Sequence, residues 1–169
     1  MTEIESLSKS LGEKLILNGW SITTAESCTG GGISAAITEI AGSSAYFNNS
    51  FITYSNQSKQ QMLGVPEGEL EEFGAVSEPV AKSMALGALN NARANVAIAV
   101  TGIAGPSGGT QEKPVGTVYL AIALNADTQQ LRQTETTVQV YRLNFEGSRK
   151  DIRISTIKSS LINTLTLLS

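Results

Sequence analysis

Ser27 stands where an apolar stretch ending in Ala25-Glu26 gives way to Cys28-Thr29-Gly30-Gly31-Gly32, just ahead of the helical Ile33-Ser34-Ala35-Ala36-Ile37. A serine at a strand-to-helix turn sits at the carboxyl edge of a sheet, where open α/β proteins bind ligands. The amides of Cys28, Thr29 and Gly30 are expected to point outward at a helix N-terminus, ready for a phosphate or a developing oxyanion. Ser27 is therefore a candidate nucleophile, with Thr29, Gly30 and Gly31 as candidate substrate-binding positions. The turn alone also fits an anion loop in which Ser27 binds without reacting. Cys28 reads as a small buried filler, because a free cysteine is inert unless its surroundings are electropositive.

A serine nucleophile needs a base, and the chain contains no histidine. Ser-His-Asp triads, Cys-His dyads and HExxH zinc chemistry are thereby excluded within it. The remaining candidates are Lys59, whose ammonium loses its proton more readily when desolvated, and Tyr54, which ionises more readily beside a lysine. Glu26 is a third possible base or orienting group, although strand alternation sends it to the face opposite Ser27. Aspartate occurs only at Asp127 and Asp151, too few for a hard-metal site, so neither a metal nor a cofactor is expected.

A second region with chemical potential runs from Thr101 to Thr110, with glycines at 102, 105, 108 and 109. It lacks the lysine-serine ending of a Walker A loop and has no dinucleotide fingerprint. Its backbone can approach a ligand closely at Gly102, Gly105, Gly108 and Gly109, with Thr101 at a strand end and Lys113 nearby as a cation. Arg149 and Arg153 lie four apart in the first turns of the last helix, where cations oppose the helix dipole. That placement suggests an anionic partner, or an ordinary pairing with Glu146 or Asp151.

These residues must be positioned by a chain of 169 residues, 41% of them hydrophobic, with a net charge of -3. The length suits a single domain over 1–169 with a substantial core. Mild acidity, with no basic run longer than Arg149-Lys150, argues against a nucleic-acid partner. One cysteine cannot staple the fold, the first residues do not resemble a signal peptide, and no long apolar run spans a membrane, so a cytoplasmic protein is expected.

Periodicity supplies the elements. Ile4, Leu7, Leu11, Leu15 and Ile16 mark a helix stopped at Asn18-Gly19, and Trp20, Ile22 and Thr24 a short strand. Phe51 to Tyr54 reads as a strand, followed by a helix closed by Gly64 and a small acidic helix between Pro66 and Gly74. Ser77 is expected to cap a helix through Ala92, with Met84 and Ala88 on a small apolar face. Val96 to Val100 is apolar throughout, as for a strand buried on both sides. Thr117 to Leu124 and Leu131 to Phe145 form a hairpin around Asn125-Ala126-Asp127. Ser148 caps a C-terminal helix striped by Ile154, Ile157, Leu161, Leu165 and Leu168. The alternation predicts an α/β fold.

Taken together, Thr24 to Gly31, Thr53-Tyr54-Ser55-Asn56 with Lys59, Leu63-Gly64-Val65, Gly74 to Ser77, Val100 to Pro106, Gly108-Gly109-Thr110 and Lys113 to Thr117 resemble the CinA C-terminal domain family. The resemblance runs nearly the whole chain in order. It implies a three-layer α/β/α sandwich, with a mostly parallel sheet plus an antiparallel hairpin. It also implies an amidohydrolase of the pyridine nucleotide cycle, converting nicotinamide mononucleotide to nicotinic acid mononucleotide and ammonia. The family's serine, tyrosine and lysine fall on Ser27, Tyr54 and Lys59, its threonine on Thr101, and its late arginines on Arg149 and Arg153. Two departures stand out: Gly32 replaces a bulkier residue, and Glu146-Gly147-Ser148-Arg149 replaces a Gly-Asp-Arg run. The alternative is a nucleotide-binding module of the same family without turnover. A homo-oligomer such as a dimer is expected, using the small apolar faces of Met84, Ala88 and the last helix.

Overall fold

The computed structural model describes residues 1–126 and 135–169. Five strands form one sheet in the order β2-β1-β3-β4-β5: β1 Ile22–Glu26, β2 Phe47–Ile52, β3 Val96–Gly102, β4 Thr117–Asn125 and β5 Thr136–Asn144. β1 pairs in parallel with β2 and with β3, whereas β4 runs antiparallel to both β3 and β5. Four strands therefore point one way and β4 alone opposes them. The helices are α1 Glu3–Asn18, α2 Gly32–Thr38, α3 Asn56–Leu63, α4 Glu67–Phe73, α5 Glu78–Ala92 and α6 Arg149–Leu167. No helix among the described residues is long and apolar enough to cross a membrane.

Alternation along the central strands creates two unlike cores. Val96, Ile98, Val100, Leu120 and Ile122 face one side, where they pack with Leu11, Leu15, Ile33, Ile37 and Leu161 from α1, α2 and α6. Ala97, Ala99, Ala121 and Ala123 face the other and meet α5. Large side chains thus hold three helices on one face, and alanines let a single helix lie close on the other. Met84 and Ala88 are fully buried in this second core. The face of α5 expected to serve a dimer interface is consequently spent on the sheet.

α5 also packs against α3 through Gly87, where an added Cβ would overlap the Leu63 carbonyl oxygen. Gly87→Ala is expected to destabilise the fold by about 2 kcal/mol, because the obstacle is backbone that closes α3. Thermal or urea unfolding checks this.

Most element boundaries follow the sequence pattern, and the exceptions have local causes. β2 begins at Phe47, four residues before the expected start, and ends at Ile52. Its Asn48-Asn49 pair disguises the strand, since asparagine is depleted in sheets. Thr53 still donates its N–H to the Glu26 carbonyl, but the Thr53 and Tyr54 carbonyls then turn to the Lys59 ammonium. Ser77 occupies the N-cap position of α5 without capping it, because its hydroxyl donates back to the Gly74 carbonyl. β5 begins at Thr136. The expected extension from Leu131 to Thr134, and Asp127 of the turn, fall outside the described residues.

The connections around β1 position the site. α2 carries the chain from β1 to β2 on one side, while α3, α4 and α5 carry it past β1 to β3 on the other. The carboxyl end of β1 is thus a topological switch point, where a crevice opens between diverging connections.

Candidate active site

Ser27 follows directly on β1 at that crevice, and Lys59, one turn into α3, reaches back to it. Lys59 Nζ lies 3.0 Å from Ser27 Oγ and donates to the Thr53 and Tyr54 carbonyls at 2.8 and 3.4 Å. Ser55, which caps α3 through a capping box, fixes the helix start that aims this lysine. Lys59 is only 1% exposed, and the ion pair among the described residues is Lys158 with Glu3, far from it in sequence. Burial without a carboxylate partner lowers its pKa from 10.5 to about 8, partly countered by the nearby Cys28.

A cavity of about 180 Å³ opens above the pair. Ser27, Cys28 and Lys59 line it together with Tyr54, Thr101, Gly102 and Arg149. Sequence reasoning had not singled out Asn56, Ala75, Val76 and Ala104, which also line it. All four lie inside the quoted motifs, but none carries a reactive group.

The remaining candidates divide by what their polar atoms touch. Tyr54 is 63% exposed, and its hydroxyl accepts from Arg149 Nη2 at 2.9 Å. Arg149 Nη1 also donates to the Gly105 carbonyl at 2.7 Å, so one guanidinium ties the glycine loop to the tyrosine. Thr101 donates to the Ala75 carbonyl and Lys113 to the Phe73 carbonyl, each at 2.8 Å. Both therefore brace the segment that forms the apolar wall, and Lys113 is not among the cavity's lining residues. Arg153 Nη2 donates to the Thr29 carbonyl at 3.0 Å, holding the turn after Ser27 from outside. Gly108 and Gly109 lie in the loop away from the cavity lining. Neither Arg149 nor Arg153 pairs with a carboxylate among the described residues, and Asp151 is engaged by Ser148 in the capping box of α6.

The turn after Ser27 differs from expectation in two respects. The Gly30 amide is committed to the Ser27 carbonyl and the Gly32 amide to the Thr29 carbonyl, because the chain closes into consecutive tight turns with positive φ at Gly30 and Gly31. The Cys28, Thr29 and Gly31 amides are left without a protein acceptor among the described residues, and the first two directly follow Ser27. In addition, the first turn of α2 is not open to an anion, since the Glu26 carboxylate accepts the Ile33 and Ser34 amides. Cys28 is 6% exposed, and burial pushes its thiol up to about 11, which leaves it without a thiolate at neutral pH. Among the described residues no group of three or more His, Cys, Asp or Glu could hold a metal ion.

Comparison with known proteins gives a consistent picture. The family model described as CinA C-terminal domain matches residues 4–168. The chain is 56% identical over 122 residues to the nicotinamide-nucleotide amidohydrolase PncC of Escherichia coli strain K12, covering 72% of this chain and 74% of that one. It is 47% identical over 162 residues to the PncC of Enterobacter agglomerans, covering 96% and 93%. Among solved structures, the competence/damage inducible protein CihA from Agrobacterium tumefaciens superposes with a TM-score of 0.91 at 43% identity, covering 100% of this chain and 98% of that one.

Proposed function

The chain belongs to the CinA C-terminal domain family, and from that premise we propose that it is an amidohydrolase releasing ammonia from the carboxamide of nicotinamide mononucleotide. The proposal is carried by the 3.0 Å contact between a buried lysine and Ser27, and supported by two PncC relatives at 47% and 56% identity. A neutral Lys59 has two N–H bonds and one lone pair. With the N–H bonds directed at the Thr53 and Tyr54 carbonyls, the lone pair faces the Ser27 hydroxyl and takes its proton as Oγ attacks the amide carbon. The Cys28 and Thr29 amides stabilise the resulting oxyanion. The Lys59 ammonium then protonates the departing nitrogen, ammonia leaves, and the same amine activates the water that cleaves the ester on Ser27.

A cavity of about 180 Å³ is smaller than the roughly 300–1,000 Å³ of sites that enclose whole drug-sized ligands. It takes the pyridine ring and amide against Ala75 and Val76, leaving the ribose phosphate at the rim beside Tyr54 and Arg149. Arg149 spends two of its five N–H donors within the protein and offers the rest to the phosphate. Arg153, Lys113 and Thr101 serve as braces in this reading.

Ammonia release from nicotinamide mononucleotide by the purified protein is the direct test. A protein that binds the nucleotide and releases none is a binding module, and the amidase reading fails. Tyr54→Phe is expected to raise KM about 3- to 10-fold, leaving kcat within about twofold and the pH profile unmoved, since the hydroxyl orients Arg149. Loss of the pH limb in that variant would make Tyr54 the base instead.

A further inference from the structure

Glu26 is 0% exposed and precedes the nucleophile, yet it plays no part in the chemistry above. Its side chain leaves β1 on the face opposite Ser27, where it meets the start of α2. There Oε1 accepts from the Thr29 hydroxyl at 2.7 Å and the Ile33 amide at 2.8 Å. Oε2 accepts from the Thr24 hydroxyl at 3.1 Å and the Ser34 amide at 2.9 Å. Four donors converge on two oxygens. The N-cap residue of α2, Gly31, has no side chain to cap the helix, so a carboxylate from the preceding strand does so, closing residues 26 to 34 into a ring. Charge at the positive end of a helix adds to the hydrogen bonds.

We propose that Glu26 is a positioning residue for the nucleophile: by fastening the Thr29 hydroxyl and the first amides of α2, it sets the rotation of the Ser27–Thr29 turn, and with it the aim of Ser27 Oγ and of the Cys28 and Thr29 amides. The inference deepens the amidase reading and rests on it. Ser27 is joined to Glu26 through the peptide bond, and Thr29 is hydrogen-bonded to its carboxylate, so the turn is held at both ends by one residue. A shift of about 1 Å in such a constellation costs up to roughly 100-fold in rate. The ground-state pocket walls, which come from Ala75, Val76 and Thr101, do not touch this network, so substrate affinity is not carried by it.

Glu26→Gln tests this with little change of volume. A carboxamide keeps one acceptor oxygen and turns an NH2 toward a hydroxyl, which can rotate to accept, and a backbone N–H, which cannot. The expected result is a 10- to 100-fold fall in kcat with KM within about 3-fold and the pH midpoint near that of the wild type. The rate of Ser27 labelling by a fluorophosphonate, in which Oγ displaces fluoride from phosphorus, should fall in parallel. Unchanged turnover per folded molecule, measured alongside the melting temperature, overturns the proposal and leaves Glu26 merely structural. A raised KM with kcat intact, or loss of the pH limb, overturns it too, by making Glu26 a binding group or a base. If Glu26→Gln does not fold, Thr24→Val carries the test: removing one donor far from the cavity should lower kcat about 3- to 10-fold, and unchanged kcat sinks the idea. If the wild type releases no ammonia, the amidase reading fails, while the labelling ratio still decides the role of Glu26.

Discussion

Alanine at Ser27 is expected to lower kcat for ammonia release from nicotinamide mononucleotide by roughly 10³-fold or more, with nucleotide binding retained. The side chain is 8% exposed in the cavity lining, so its removal takes away one hydroxyl without exposing an apolar surface or undoing a strand. What disappears is the nucleophile and the proton that Lys59 receives. The Cys28 and Thr29 amides remain, so a residual rate above that of water alone should survive. Acid-quenched mass spectrometry adds a positive signature: the wild type should gain the mass of the acyl group on the peptide containing Ser27, and the variant should not. A variant with full activity would exclude the acyl-enzyme route while leaving the amidase function standing.

Methionine at Lys59 should cost roughly 10²- to 10⁴-fold in kcat, the range spanned by general base catalysis. It should also remove a feature of the stability curve. With a folded pKa of about 8 against 10.5, about one wild-type molecule in ten carries the free amine at pH 7, and log kcat/KM should climb to a plateau above pH 8. Between the two values the unfolded chain binds the proton more tightly than the native one, so wild-type stability gains with rising pH across that window. The gain from this one group is about 3 kcal/mol, fully reached only above 10.5. Below pH 8 the native state carries the whole cost of a buried ammonium. Urea titrations of wild type and Lys59→Met at pH 7 and 10 separate this contribution from other groups. Parallel curves for the two proteins would mean that Lys59 titrates normally and is no base.

The layered fold was legible because it rests on local signals: apolar alternation, capping serines, and a glycine turn placed between a strand and a helix. Spacing alone left Lys59 and Tyr54 open as partners of Ser27, and it was the family resemblance that grouped the three; the structure brings Lys59 to Ser27 and turns the Tyr54 hydroxyl to Arg149. The roles of the cations were not legible. Lys113, Arg153 and part of Arg149 satisfy backbone carbonyls of Phe73, Thr29 and Gly105, and a carbonyl is present at every position, so no residue type announces it. Glu26 shows the same limit from the other side. Alternation correctly separated it from Ser27, but two of the four donors it gathers are backbone amides beyond the turn, which become neighbours only once the chain bends. Asn48-Asn49 hid the start of β2 for an opposite reason, since an edge strand tolerates residues that a central one does not.

The contact between Arg153 and Thr29 spans 124 residues, and this bears on the order in which the protein becomes competent during synthesis. The serine turn and its lysine lie in the first half of the chain, whereas the guanidinium that steadies the turn and the one that borders the cavity both arrive with α6. A domain folds as a unit, and Leu161 of α6 belongs to the same core as Ile22, Ile33 and Val100, so the turn and its brace come together only once the last helix has been made. On the amidase reading, docking of α6 completes the serine turn and the cavity rim in one late step, through Arg153 and Arg149.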